Sequence, residues 1–299
     1  MPVTSPRTPL RALVTVLTVI VLALLAGCRQ EPEPPPDPNA GIEVAGEVGR
    51  RPLVTLETPL KIEKIVTTTL IPGEGAELAD GDAVMLAYIA FDAVTGEVVE
   101  DSYGSEPRIL QLTEDEAGPL YDELLGRTEG SRLLRLEPGS MTVPDPVVIV
   151  YDILPTQAVG TPLEVPETLP QVAVADDGTP TITLPEGAPP NSLTIAQLIR
   201  GDGPQVQAGE SVTVRYVQMA WSTGEVLDST WGPGTLPVTI PLVDRIPGLQ
   251  DGLVDAAVGS RVLLVVPPAQ ADGTDTVVFV VDVLAVTSQS DVSGEGSGS

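Results

Sequence analysis

The chain has 299 residues, with 15 basic against 42 acidic side chains, no histidine and one cysteine, for a formal charge of −27. So acidic a body repels nucleic acid and anionic lipid surfaces, which excludes both as partners of a charged patch. The missing histidine removes Ser-His-Asp and Cys-His catalysis, imidazole metal ligation and the usual near-neutral proton shuttle, and a lone cysteine forbids an internal disulfide.

Residues 1–28 read as a lipoprotein signal peptide. Arg7 and Arg11 form a basic start, and the apolar stretch from Ala12 to Ala26 is shorter than the roughly 20 residues a membrane span needs. It ends in Leu25-Ala26-Gly27-Cys28, which resembles a bacterial lipobox, so Cys28 is the expected lipidation site and the expected membrane contact. Loss of this leader would deepen the formal charge to −29. Residues 29–51, with Glu31-Pro32-Glu33-Pro34-Pro35-Pro36, predict an extended tether reaching about 60 Å at about 3.1 Å per residue.

An internal repeat organises the rest. Between 52–98 and 180–226, without a gap, Pro52, Thr55, Leu56, Leu70, Ile71, Gly73, Gly75, Gly81, Val84, Tyr88 and Thr95 to Val98 recur 128 positions later. The match resumes at offset 129 with Gly130-Ser131-Arg132 against Gly259-Ser260-Arg261. It continues at offset 130 with Val147 to Asp152 against Val277 to Asp282. Solenoid repeats run about 20–50 residues, so this period means duplicated domains with loops of slightly different length. The predicted domains are 52–156 and 180–288, joined by a Pro/Val/Ala-rich linker at 157–179 and followed by a Ser/Gly-rich tail at 289–299.

In the second copy Val212 to Val217 alternates as a half-buried strand, and Thr223-Gly224 turns the chain into Glu225 to Asp228 as a hairpin partner. Pro237 to Pro241 is a short strand whose prolines mark strand ends or an edge, and Arg261–Val266 and Thr276–Val286 are long aliphatic strands. Asp244 is the expected cap of one short helix with Pro247 in its first turn, and Leu249 and Leu253, four apart, face the sheet. The first copy repeats that helix at Pro119 to Leu125. The fold class is therefore α+β: in each copy an antiparallel sheet wrapped on one helix.

Metal and cofactor chemistry find no motif. No glycine-rich phosphate loop precedes a helix, and Asp80-Gly81-Asp82 and Asp272-Gly273-Thr274-Asp275 read as turns rather than cation loops. Glu114 and Glu116 read as a solvated helix start. No cofactor and no metal are expected.

The second copy's motifs, Val212-Thr213-Val214-Arg215-Tyr216, Gly224 to Ser229, Ile246-Pro247-Gly248-Leu249-Gln250-Asp251-Gly252-Leu253, Val258 to Arg261 and Val277-Val278-Phe279, resemble the FKBP-type peptidyl-prolyl cis–trans isomerases over roughly 190–288. The resemblance implies two FKBP-like domains and a reaction that needs no proton carrier. Peptide rotation costs about 18–20 kcal/mol because amide resonance must break, and at proline it takes tens to hundreds of seconds unaided. By that resemblance Tyr216, Asp228, Ile246 and Phe279 form the catalytic set, and Leu227, Val238 and Leu249 the apolar substrate-binding walls. Leu249 stands where the family often has tryptophan, and the loop Pro267 to Gly273 is short and lacks the usual tyrosine, which together imply weak activity. In the first copy Tyr88 is kept while Glu100, Ala117 and Ile149 replace Asp228, Ile246 and Phe279; Asp101 reaches the aspartate position only if the alignment slips by one. That copy is read as a scaffold or peptide-binding module. The expected protein is a lipid-anchored isomerase at the extracytoplasmic face of a bacterial membrane, acting on proline-containing exported polypeptides. The alternative is a non-catalytic lipoprotein chaperone or peptide-binding module with FKBP-like domains.

Overall fold

A computed structural model describes residues 39–175, 177–271 and 273–287. The leader, Cys28, the proline-rich part of the tether and the tail lie outside these residues. From Gly41 onward the described residues form one compact unit that contains both copies.

The first copy begins earlier than its sequence signal. Ile42–Ala45 (β1) pairs antiparallel with Leu53–Leu56 (β2), so residues 42–51 belong to a hairpin rather than to the tether. Ile42, Val44, Val54 and Leu56 alternate with polar residues, and this apolar face lies on the buried cluster of Ile89, Leu134, Leu136, Val148 and Val150. The second copy repeats the device within the predicted linker: Gln171–Val174 (β10) pairs with Pro180–Thr183 (β11) over Leu263, Val278 and Val280.

Val66–Ile71 (β3), Ala83–Asp92 (β4), Val98–Asp101 (β5), Arg108–Gln111 (β6), Arg132–Glu137 (β7) and Val147–Leu154 (β8) form an antiparallel sheet in the order β3-β7-β8-β4-β5, with β6 also on β4. Thr194–Arg200 (β12), Ser211–Ala220 (β13), Val226–Ser229 (β14), Val238–Pro241 (β15), Arg261–Val266 (β16) and Val277–Thr287 (β17) reproduce it as β14-β13-β17-β16-β12. Here β15 lies on β13, and the short strand Thr161–Pro162 (β9) is added beyond β12. Two of the irregularities repeat as well. The bulge at Thr69–Ile71 recurs at Gln197–Ile199, and that at Ala90–Phe91 recurs at Gln218–Met219. A bulge re-aims a strand, so its repetition preserves the sheet's curvature.

The helices differ between copies. In the second, Pro247–Leu253 is one helix (α3 in chain order), started by Pro247 and lying flush on β16. A Cβ at Gly248 would sit 2.2 Å from a Val266 methyl, and one at Gly252 2.7 Å from a Leu264 methyl. Asp244 is not its cap: it ends a 3-10 turn, Leu242–Asp244, and Ile246 stands at the N-cap without a side-chain bond. In the first copy the same stretch breaks into Glu114–Ala117 (α1), a 3-10 turn at Gly118–Leu120 and Tyr121–Leu124 (α2). The break falls at Gly118, which ends α1 with a φ of 53°, and at Pro119, which opens the 3-10 turn. Glu123 stands where the second copy has Gly252 and Arg135 where it has Leu264, and the two make an ion pair instead of a close helix–strand contact.

One buried ion pair is common to both. Arg132 meets Asp152 at 2.6 Å and Arg261 meets Asp282 at 2.6 Å, all four side chains almost fully buried. Arg132 also donates to the carbonyls of Gly46, Glu47 and Arg50, and Asp152 accepts from the Gly49 amide, which holds the β1–β2 turn against the sheet. Arg261 and Asp282 do the same for the linker through the Gly178 carbonyl and the Ala158 amide.

The two copies touch through an apolar patch of Met85, Ala87 and Leu154 against Leu284 and Ala285. Leu284 is 5 % exposed, so Leu284→Ala should cost about 2–4 kcal/mol, read as an earlier urea midpoint. An unchanged midpoint would mean that the copies do not support each other.

Candidate functional site

Along β13, Val212, Val214 and Tyr216 point to the side that α3 covers, while Thr213 and Arg215 point away. β17 brings Phe279 and Val281 to the same side, and α3 brings Leu249 and Leu253 over them. The elements do not close completely. A cavity of about 260 Å³ remains, bounded by Val214, Tyr216, Gln218, Asp228, Ile240, Asp244, Arg245, Ile246, Leu249, Leu253, Phe279 and Val281.

At its polar end the Tyr216 hydroxyl donates to the Asp228 carboxylate at 2.5 Å. The second Asp228 oxygen accepts from the Ser229 amide at 2.8 Å, and the Tyr216 amide donates to the Thr230 hydroxyl at 2.8 Å, so both side chains are held from behind. Burial and the bond to Asp228 push the Tyr216 hydroxyl up to about 12, and the Arg245 charge offsets this only in part. The phenol is thus a neutral donor throughout the physiological range. The other end of the cavity is aliphatic and aromatic. Such a site can hold an apolar ring and offer polar groups at its edge.

Of the residues expected at the site, Tyr216, Asp228, Ile246, Leu249 and Phe279 come together around this cavity. Leu227 and Val238 do not. β14 turns Asp228 inward, so its neighbour Leu227 faces solvent at 53 % exposure. Val238 lies one alternation short of the cavity at 36 % exposure, and Ile240, two residues on, forms the wall instead. Val214, Val281 and Leu253 were missed as lining residues. Two-residue steps from Tyr216 and Phe279 and a four-residue step from Leu249 would have found them. The shortened loop folds as a 3-10 turn at Pro268–Gln270, Ala271 packs on the core, and the Gln270 amide reaches Asp251 at 3.3 Å.

The first copy keeps the polar pair and sets a larger side chain beside it. The Tyr88 hydroxyl donates to the Glu100 carboxylate as Tyr216 does to Asp228. Asp101 is otherwise engaged, in an ion pair with Arg51 at 2.6 Å. Where Val281 lines the second cavity the first copy has Tyr151, whose ring centre lies 5.9 Å from that of Tyr88 and packs on the core with Tyr121.

Residues 203–283, in the second copy, match the family model described as FKBP-type peptidyl-prolyl cis-trans isomerase. An FK506-binding protein of Streptomyces anulatus is 37 % identical over 119 residues, 36 % of this chain and 96 % of that protein. A Corynebacterium glutamicum protein named "Probable FK506-binding protein" is 36 % identical over 115 residues, 36 % of this chain and 97 % of its own. This chain belongs to the FKBP-type peptidyl-prolyl cis–trans isomerase family. Among solved structures, a peptidyl-prolyl cis-trans isomerase of Pseudomonas syringae covers 39 % of the chain and 81 % of its own length at 24 % identity, with a TM-score of 0.30. The family match at 203–283 covers the residues that bound the cavity described above.

Proposed function

We propose that the cavity beside Tyr216 and Asp228 is where this isomerase binds proline and accelerates cis–trans rotation. The observation that carries this reading is the coincidence of an open apolar cavity with the Tyr216–Asp228 pair, inside the segment that matches the family. The planar amide is the more dipolar and better hydrated form, so a site that strips its water and offers a polar edge at one end favours the twisted form. Tyr216 and Asp228 form that edge, while Ile246, Leu249 and Phe279 hold the proline ring. Accelerations of a hundredfold to a thousandfold ask for about 3–4 kcal/mol, within reach of desolvation and one hydrogen bond.

The rest of the reading goes with it. The first copy is non-catalytic, because Tyr151 stands in the space a proline would need, and it serves as scaffold. Lipidation of Cys28 holds the protein at the outer face of the membrane, and its substrates are exported polypeptides. The short loop over the cavity keeps the rate low.

The test is prolyl isomerisation of a proline-containing peptide by the full chain. Tyr216→Phe should slow kcat/KM about tenfold and Asp228→Ala about ten- to a hundredfold, the range for a hydrogen bond to a charged group, while Glu100→Ala leaves it unchanged. Because Tyr216 titrates only near 12, the wild-type rate should be flat from about pH 6 to about pH 10 and fall only as the phenol ionises. Equal losses from Glu100→Ala and Asp228→Ala would put catalysis in both copies.

A further inference from the structure

A cavity of about 610 Å³ lies between the two copies, on the face of β13 opposite the prolyl pocket, since Arg215 and Tyr216 are successive strand residues. Its size falls in the range of small-ligand sites. Comparing the copies separates what the fold needs from what this junction adds. Arg215, Trp231 and Glu129 occupy positions where the other copy has Ala87, Tyr103 and Val258. The repeat does not require them, yet all three line the cavity.

Arg215 is 8 % exposed. Its terminal nitrogens reach only the carbonyls of Thr230 and Thr235, each at 3.2 Å, and its Nε makes no hydrogen bond. Among the described residues no carboxylate lies within ion-pair distance of it, whereas Arg132 and Arg261 each have one. Its guanidinium lies 4.9 Å over the Trp231 ring, and the indole N–H is buried without an acceptor. On the opposite wall Glu129 is 3 % exposed, one of its oxygens takes the Thr156 amide and hydroxyl, and burial raises its pKa. Asp82 lies on that wall too. Glu129, Asp282 and Asp82 act on Arg215 only from beyond ion-pair distance, and burial still lowers its pKa. A buried cation without a contacting carboxylate burdens the fold, and an anionic ligand seated against it relieves that burden.

We propose that this interdomain cavity binds the α-carboxylate end of a peptide. The carboxylate lies against the Arg215 guanidinium and the Trp231 N–H, as a planar fork suits a carboxylate. The peptide N–H groups behind it face the acidic wall of Glu129 and Asp82. The backbone at Gly232 and Gly234, which carries no side chain, leaves room on the second-copy side, since a Cβ at Gly232 would meet nothing within 4 Å.

The test titrates triglycine and triglycinamide into the full chain, read by calorimetry and by tryptophan fluorescence. Triglycine should bind saturably and at least tenfold more tightly than triglycinamide, which lacks the carboxylate. Arg215→Met should abolish that preference and Trp231→Phe reduce it several-fold, with prolyl isomerisation unchanged in both as the sign of an intact fold. Equal binding of the two peptides, no binding of triglycine at 10 mM by either readout, or an undiminished preference in Arg215→Met would overturn the proposal. Should Arg215→Met fail to fold, the wild-type comparison of acid and amide decides alone.

Discussion

Asp282→Ala should destabilise the protein by about 3–5 kcal/mol, because it leaves the Arg261 guanidinium buried without its carboxylate. The damage spreads beyond one pair. Asp282 also accepts the Ala158 amide at 2.7 Å, and Arg261 reaches the Gly178 carbonyl at 3.4 Å, so the linker loses its anchor on the second sheet. Removing both charges with apolar residues of similar volume, Arg261→Met with Asp282→Leu, should cost much less than either single change, since no charge is then stranded. Urea unfolding of the single and double variants measures the coupling directly. Strict additivity would show that the two side chains do not depend on each other. The equivalent Asp152→Ala should behave alike in the first copy, where Arg132 ties down the β1–β2 turn.

Val281→Tyr should abolish isomerisation, by at least a hundredfold, while leaving the protein folded. It transplants into the second copy the residue the first copy carries at the same place, Tyr151. In the first copy that ring rests beside Tyr88, itself bonded to Glu100, so the fold tolerates an aromatic there while the polar pair persists. Burial pushes the Tyr151 hydroxyl up to about 12, so it stays neutral and needs no counter-charge at working pH. In the second copy an aromatic ring at 281 would take the volume in which the proline must sit. A variant that folds and keeps its rate would mean that catalysis does not use this cavity.

Much of this arrangement was legible in the residues. The 128-residue repeat, the alternation of Val212 to Val217 and the four-residue step from Leu249 to Leu253 led to the duplicated sheet and the helix, while the five expected residues that do wall the cavity came from the family resemblance. Leu227 and Val238 failed because they were assigned by motif position, while pleat direction and a strand's remaining length decide what reaches a cavity. The β1 and β10 strands were hidden in segments that read as tether and linker, since a four-residue strand carries too little periodicity to stand out beside prolines. The first copy's altered site rests on long-range substitutions, Tyr151 for Val281 and Glu123 with Arg135 for Gly252 with Leu264, whose meaning appears only when the strands and helix are brought together. Arg215 gave no signal either, because a charged residue in an alternating strand reads as solvent-facing until a second domain covers it.

The most direct test of the central claim is a titration of the isotopically labelled full chain with a proline-containing peptide, followed by nuclear magnetic resonance. Cis and trans peptide signals should come into exchange, and the shifts should concentrate at Tyr216, Asp228, Ile246, Leu249 and Phe279 while Tyr88 and Tyr151 stay still. Exchange accompanied by shifts at Tyr88 and Tyr151, or shifts that avoid the Tyr216–Asp228 pair, would contradict the assignment of prolyl isomerisation to the second copy's cavity.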